Sequence, residues 1–353
     1  MIENNHLVIM AGGIGSRFWP VSTPEKPKQF IDILGIGRSL LQLTVKRFED
    51  VCSSENVWVV TSVNYKNIVR EQLPEVPETN ILTEPCMRNT APCIAYAAWK
   101  IKKRNSAANI IVSPADHIVT DVEEFRRVMK KGLLFTAGEN RILTVGMRPH
   151  RPETGYGYIK VRESAEVGEI REVDGFKEKP DRQKAEEYLN VGGYLWNSGI
   201  FVWNVATIEK VFRQKQPDMA RIFDELEGYF YTLEEQDAVN RWFPECENIS
   251  IDYAIMEHAH NIYVFPADFG WSDLGTWGSL HELSEKDSDK NAVVGKGVRL
   301  VECRDCVVRV SADKRMVVQG LDGYIVAEHK GVLLVCNMKD EQRIKEFSKM
   351  LNT

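Results

Sequence analysis

The chain has 353 residues, 43% apolar and 27% charged, with a formal net charge of −6. That length suits one large domain plus a smaller one, and the acidic balance argues against a nucleic-acid surface, which needs a basic face. No apolar run approaches the ~20 residues that span a bilayer, Leu7–Ala11 is too short for a signal peptide, and seven scattered cysteines fit a reducing cytoplasm.

In chain order, the first ~150 residues alternate short apolar runs with helical patterns, the signature of βαβ units. Strands are expected at Leu7–Met10, Val57–Thr61, Ile81–Thr83, Ile110–Ser113 and Ile142–Val145, with helices over Ser39–Asp50, Asn64–Leu73, Asn89–Arg104 and Val122–Thr136. Strand-like alternation follows over Gly155–Lys179, then a helix from Asp181 to Leu189 and a strand through Trp196–Phe201. Val205–Trp242 reads as helical, Ile251–Glu257 as a short helix, Ile262–Pro266 as a strand and Gly270–Trp277 as a turn into a helix. After a charged linker at Lys286–Lys290, the valine-rich segment Asn291–Asn337 forms a small β unit, and Lys339–Leu351 closes as an amphipathic helix. The expected fold is α/β, with a Rossmann-like mixed, mostly parallel sheet flanked by helices. Domains are expected at 1–285 and 286–353, the second a small β unit whose strand edges make it a dimerisation surface.

The loop after the first strand carries the strongest signal, Met10-Ala-Gly-Gly-Ile-Gly-Ser-Arg-Phe-Trp-Pro20 through Pro27-Lys-Gln-Phe30. Its glycines let phosphate oxygens reach backbone N–H groups, and Arg17 and Lys28 bring positive charge. It lacks the Gly-Lys-Ser/Thr of a Walker loop, and Pro20, Pro24 and Pro27 forbid the helix of a dinucleotide fingerprint. In an open α/β sheet ligands sit beyond the carboxyl ends of the strands. The loops at Gly12, Glu84-Pro85 and Pro114-Ala-Asp-His117 should therefore meet at one crevice.

A polyphosphate there calls for a divalent cation held by carboxylates. Asp116 and Asp273 sit in short, sharp loops; each also reads as a turn residue or helix N-cap. His117 is equally a structural hydrogen-bonder, and no catalytic role is assigned to it. Lys179, between a strand end and Pro180, suits a phosphate, although Lys177-Glu-Lys alone reads as solvated surface. Asn197, between Trp196 and Ser198-Gly199, offers a donor and an acceptor to a sugar hydroxyl, or is a buried turn asparagine. Cys303-Arg-Asp-Cys306 reads as two strand cysteines facing opposite sides rather than a metal or redox pair.

The glycine loop resembles the signature of the sugar-nucleotide pyrophosphorylases, specifically the mannose-1-phosphate guanylyltransferases. The resemblance continues in order through Glu84-Pro-Cys-Met-Arg-Asn-Thr-Ala-Pro92, Pro114–His117, Glu153-Thr-Gly-Tyr-Gly-Tyr-Ile159, Phe176-Lys-Glu-Lys-Pro180, Trp196-Asn-Ser-Gly-Ile-Phe201, Ser250–Glu257 and Gly270–Trp277. It implies that Gly12, Gly13, Gly15 and Ser16 wrap the GTP phosphates, with Arg17 and Lys28 on the α- and β-phosphates. It implies Asp116 and Asp273 as the Mg2+ pair, Lys179 on the sugar phosphate, and Glu178, Gly155 and Asn197 on the sugar hydroxyls. Arg88, Asn89 and Thr90 line the nucleotide pocket in this reading, and Glu84 accepts from the guanine. The family often has a smaller residue at Cys93. Its longer members append an isomerase domain for which this chain has no room, so isomerase activity is expected to be absent.

The implied reaction joins GTP and mannose 1-phosphate into GDP-mannose and pyrophosphate, by in-line attack without a covalent enzyme intermediate, in a cytoplasmic homodimer. The alternatives are another sugar-1-phosphate nucleotidylyltransferase or a catalytically silent subunit that senses GDP-mannose. Retention of Arg17, Lys28 and both aspartates favours the enzyme.

Overall fold

The computed structural model describes residues 2–13, 15–167 and 169–351, without the side chains of Ile2, Ser16 and 163–167. The chain packs as two compact units whose segments interleave. The first comprises the chain up to Gly12, Val45–Ala115 and Val119–Trp271; the second comprises Gly13–Thr44, Asp116–Ile118 and the chain from Ser272 onward. The expected division was instead a single cut after residue 285.

The first unit is built on a nine-stranded sheet. Its strands are β1 (Asn5–Met10), β2 (Val57–Ser62), β3 (Ile81–Glu84), β4 (Asn109–Pro114), β5 (Ile142–Met147), β6 (Tyr158–Val167), β7 (Ile170–Lys177), β8 (Tyr194–Asn204) and β9 (Ile262–Ala267). Their order is β3-β2-β1-β4-β8-β5-β9-β7-β6. β3, β2, β1 and β4 run parallel, as do β5 and β9, while β8 runs antiparallel between β4 and β5. Leu7–Ile9 and Val57–Val60 are buried, as continuous apolar runs must be in parallel strands covered on both faces.

Helices Thr90–Arg104, Val205–Lys215, Pro217–Glu227 and Glu235–Trp242 bury aromatic side chains on this unit's core. Trp99 packs edge-on to Phe212 and donates its indole N–H to Asp224 at 2.9 Å, so its polar atom is satisfied. The expected helix at Asn89 starts at Thr90, with the Asn89 side chain accepting from the Thr90 amide as its cap. One register shift falls between β5 and β8. Thr144 faces Phe201 but Gly146 faces Asn197, so the bulge re-aims the segment around Asn197.

The second unit joins the glycine loop to the C-terminal part of the chain. Among the described residues of the loop, two 3-10 turns, Ser16–Phe18 and Lys28–Phe30, are its regular structure, as its prolines dictate. β10 (Ala292–Val294), β12 (Val307–Arg309) and β14 (Tyr324–His329) stack in parallel, as do β11 (Val298–Val301) and β13 (Met316–Gln319). β15 (Val332–Asn337) adds antiparallel to β14. The valine-rich segment is therefore a short parallel coil, a repeat that the valines alone do not reveal. Its core includes the loop residues Phe18, Val21, Ile31 and Ile33, together with Trp277 and Leu280 of helix Trp277–Leu283.

Cys303 and Cys306 are not on a strand. They lie in a bend of the coil, and both are buried. Each thiol points at backbone carbonyls, Cys303 at Val318 (3.4 Å) and Cys306 at Arg304 (3.1 Å), which makes them core residues. The C-terminal helix is shorter than expected, with a 3-10 stretch over Met338–Arg343 before the α-helix Ile344–Met350.

Candidate active site

The residues expected to act fall into two groups, one in each unit. In the second unit the centre is the Lys28 ammonium. It lies 3.0 Å from Asp116 Oδ2 and donates to the backbone oxygens of Asp273 (2.9 Å) and Leu274 (3.0 Å). These three acceptors match the three N–H donors of an ammonium. Lys28 is therefore tied to the Asp116 and Asp273 loops rather than projecting as a free cation.

Burial opposes ionisation of Asp116, but the Lys28 charge and the adjacent His117 ring prevail, and its carboxyl is held below the usual range. His117 Nε2 stands 3.7 Å from Asp116 Oδ1. The Asp273 carboxylate accepts from the Gly275 amide at 3.1 Å, which fixes the turn. Gly15 has a positive φ of 57°, and a Cβ there would lie 2.9 Å from Lys28 Cγ, so glycine is required on both counts. The Gly13 carbonyl accepts from Gln29 at 2.7 Å. The Ser16 side chain lies outside the described residues.

A cavity of about 330 Å³ opens on this group, lined by Gly15, Arg17, Phe18, Lys28, Gly275, Gln342 and Lys345. Arg17 is exposed, and no hydrogen bond engages its guanidinium among the described residues. Gln342 and Lys345 come from the C-terminal helical segment, for which sequence reasoning gave no site role. Only tertiary packing brings them to the loop, so no spacing in the sequence could have found them.

Two carboxylates plus outside oxygens suit Mg2+, which binds through one or two carboxylates and keeps the rest of its shell for phosphate and water. Among the described residues no group of three or more His, Cys, Asp or Glu side chains could hold a metal alone. Asp116 meets the Lys28 ammonium through its ionised carboxylate and Asp273 through its backbone carbonyl, which brings two residues of the type such a cation takes to one ammonium.

In the first unit, Gly12, just past β1, meets Glu84, the last residue of β3. A Cβ on Gly12 would lie 3.5 Å from Glu84 Oε2. Glu84 is buried, its Oε1 has no partner, and burial raises its pKa to about 8 against a weaker opposing hydrogen bond with Cys93. It is therefore protonated at neutral pH, a donor as well as an acceptor, whereas the sequence reading took it as an acceptor only.

Arg88 donates to the Pro244 carbonyl at 2.5 Å, and the Thr90 hydroxyl accepts from the Ile251 amide at 2.8 Å. Arg88 to Thr90 thus anchor the 244–251 segment.

That segment leads into a π-helical turn, Asp252–Met256, a distortion common at functional sites. Asp252 was not singled out from sequence. Its Oδ1 accepts from Asn197 Nδ2 at 3.0 Å. Asn197 Oδ1 is already occupied by the Thr144 hydroxyl (3.2 Å) and the Gly199 amide (3.1 Å). The amide orientation is thereby fixed, and Asn197 keeps one N–H for a ligand rather than a donor and an acceptor.

Glu178 sits beside this pair with its side chain only 6% exposed, ion-paired to Lys179, whose side chain is 59% exposed. Burial first, and then the Glu178 charge, lift the Asp252 pKa to about 7, with Lys179 opposing. Gly157, not Gly155, makes the close approach. A Cβ on Gly157 would stand 2.6 Å from Glu178 Oε2, while Gly155 is exposed and donates to Glu153 Oε1 at 3.0 Å.

Residues 6–290 match the nucleotidyl transferase family model. The chain is 35% identical over 352 residues to the alginate biosynthesis protein AlgA of Pseudomonas syringae pv. tomato, covering 98% of this chain and 71% of that protein. It is 34% identical over 353 residues to a mannose-1-phosphate guanylyltransferase of Escherichia coli, covering 98% and 75%. A Thermus thermophilus crystal structure described as a mannose-1-phosphate geranyltransferase superposes with a TM-score of 0.89 at 30% identity, over 99% of this chain and all of that one.

Glu84 generates a pH prediction. Its folded pKa is raised, so folding takes up a proton between the unfolded value of 4.5 and about 8, and stability falls as pH rises through that window. Glu84→Gln removes this linkage. Its stability should match the wild type near pH 4.5 and exceed it increasingly up to pH 8, by about a few kcal/mol at most, with the melting temperature rising accordingly. Parallel melting curves across the range are the measurement, and two curves that stay superposed would place the proton elsewhere.

Family model, relatives and solved structure agree over most of the sequence: the chain belongs to the nucleotidyl transferase family, among the mannose-1-phosphate guanylyltransferases.

Proposed function

We propose that the protein joins GTP and α-D-mannose 1-phosphate into GDP-mannose and pyrophosphate. The carrying observation is the Lys28 knot at the end of the glycine loop, which holds Asp116 ionised beside a cavity supplied with Arg17 and Lys345. Such a site neutralises a polyphosphate and needs no nucleophile of its own.

The sugar phosphate is already an anion, so no general base is required. One of its oxygens forms a bond to the α-phosphorus of GTP while the α–β bridging P–O bond breaks, and the electron pair leaves with pyrophosphate. Gly12, Gly13, Gly15 and Ser16 receive the phosphates through the loop, and Arg17 and Lys345 offset charge that develops on them. Lys28 acts by fixing Asp116 and the 273–274 backbone. Asp116 and Asp273 would hold a magnesium ion, which would supply Lewis-acid charge neutralisation to the phosphates.

Lys179 takes the sugar phosphate, while Glu178 and the remaining N–H of Asn197 meet hydroxyls, with Asp252 holding Asn197 in place. Gly155 belongs to the same reading only through its neighbour Glu153. Glu84, with Arg88, Asn89 and Thr90, belongs to guanine recognition, where a protonated carboxyl can donate to the purine O6 and accept from N1–H. The protein works as a homodimer in this reading. β15 is an edge strand that carries exposed Leu333 and Val335, a surface that pairing would cover.

Lys28→Ala should lower kcat by about two to three orders of magnitude and, because it also removes the tie between the loop, Asp116 and the 273–274 backbone, lower the melting temperature. Lys179→Ala should leave kcat nearly intact and raise KM for the sugar phosphate. The reverse split would exchange the two roles, and steady-state kinetics with each substrate varied reads it directly. Light scattering at micromolar concentration should give twice the chain mass; a monomer dismisses the dimer. Mass spectrometry of products from mannose 1-phosphate, Mg2+ and each of GTP, ATP, UTP, CTP and dTTP tests the reaction. GDP-mannose with pyrophosphate from GTP alone is expected. No product from folded protein that still binds GDP-mannose would make it a sensor instead.

A further inference from the structure

The second unit contains another cavity, of about 790 Å³, that shares no lining residue with the one at Arg17. Its volume falls in the range of small-molecule sites. One side is apolar, with Val21, Ile31, Val294 and Val310; the other carries Lys26, Lys296, Arg309 and His329 against Asp32 and Glu328.

The two acids offset part of this charge, Asp32 acting on Arg309, but three cations (Lys26, Lys296 and Arg309) face two carboxylates whose oxygens turn amides already engage. Asp32 accepts from the Ile36 (3.0 Å) and Gly37 (2.6 Å) amides, and Glu328 from the Gly331 (3.0 Å) and Ser311 (3.4 Å) amides. Arg309 is anchored by one bond to the Asp32 carbonyl at 2.7 Å, which leaves most of its five N–H donors for something else. The Lys26 and Lys296 ammonium groups have no hydrogen bond or ion pair among the described residues. Burial together with the Lys330, Arg309 and Lys26 charges pushes the His329 pKa down, with Glu328 opposing. Cations that converge on one cavity and repel each other stay together at lower cost when an anion lies between them.

We propose that this cavity binds a small phosphate-bearing metabolite, with its phosphate on Arg309, Lys26 and Lys296 and its body on the valine side. Arg309 and the lysines give the forked and point-charge contacts that phosphate favours. Occupancy also bears on the reaction, a consequence that rests on the function proposed above. Lys26 is separated from Lys28 only by Pro27, so an anion that holds Lys26 constrains the segment carrying the Lys28 ammonium.

The test is isothermal titration of inorganic phosphate, and separately of glycerol 3-phosphate, into wild type, Arg17→Ala, Lys296→Glu and Lys296→Arg, each checked for fold by circular dichroism. Phosphate binding that persists in Arg17→Ala, weakens about tenfold or more in Lys296→Glu and returns in Lys296→Arg is expected. Tighter binding of glycerol 3-phosphate than of phosphate identifies an organic ligand; equal binding identifies free phosphate. Loss of all binding in Arg17→Ala, or equal affinity in Lys296→Glu and wild type, overturns the proposal. The readout is binding rather than turnover, so a different reaction at the active site would leave it standing.

Discussion

The second unit depends on where one ammonium group is satisfied. Lys28 is buried, and an unpaired buried charge costs several kcal/mol, so the fold must bring acceptors to it. It does so from Asp116 and from the backbone at Asp273 and Leu274, segments far apart in sequence. The loop needs this tie because it has almost no regular structure of its own. Two short 3-10 turns make few internal hydrogen bonds, so side-chain contacts must set the loop's shape. Gly15 belongs to the same constraint, since any side chain there collides with Lys28.

Three carboxyl groups in the chain are treated in three ways by their surroundings. Asp116 gains a neighbouring ammonium that outweighs burial, and stays ionised where a divalent cation would need it. Asp252 is lifted to about 7 by burial and by the Glu178 charge, against a weaker pull from Lys179. Glu84, buried with one oxygen unpartnered, rises to about 8. Environments that push like groups apart in pKa assign them different tasks. The ionised one answers cations, and the two raised ones can donate to neutral polar groups on a ligand.

The sheet was legible because parallel central strands are apolar runs bounded by polar loops; β1, β2 and β4 each extend the expected span by a residue or two. The glycine loop was legible because its prolines exclude other phosphate loops. What escaped depended on tertiary placement. Asp252 lies in the Ser250–Glu257 motif, yet nothing local marks it as the partner of Asn197, and Lys345 reaches the loop cavity from a helix near the end of the chain. The cysteine pair was misread because a strand period was applied to a bend, where residues three apart can both turn inward. The coil was read only as a β unit, because its strands pair through residues spaced irregularly in sequence.

The coil's role follows from the loop's weakness. Phe18, Val21, Ile31 and Ile33 cannot bury themselves against a loop that has no helix or strand behind it. They share one core with Trp277, Leu280 and the coil residues Ala292, Val307 and Ile325. The Phe18 and Trp277 rings lie 5.2 Å apart within it, and Arg309 reaches back to the Asp32 carbonyl. The C-terminal segment is thus the wall on which the glycine loop is shaped, more than an appendage with a surface to offer. A rigid loop without secondary structure can be had only by packing it on something rigid, and a stack of short parallel strands is a compact way to supply that. The same packing accounts for lysines of the loop and of the coil lining one cavity: the wall that shapes the loop also stands where a ligand of the coil can touch it.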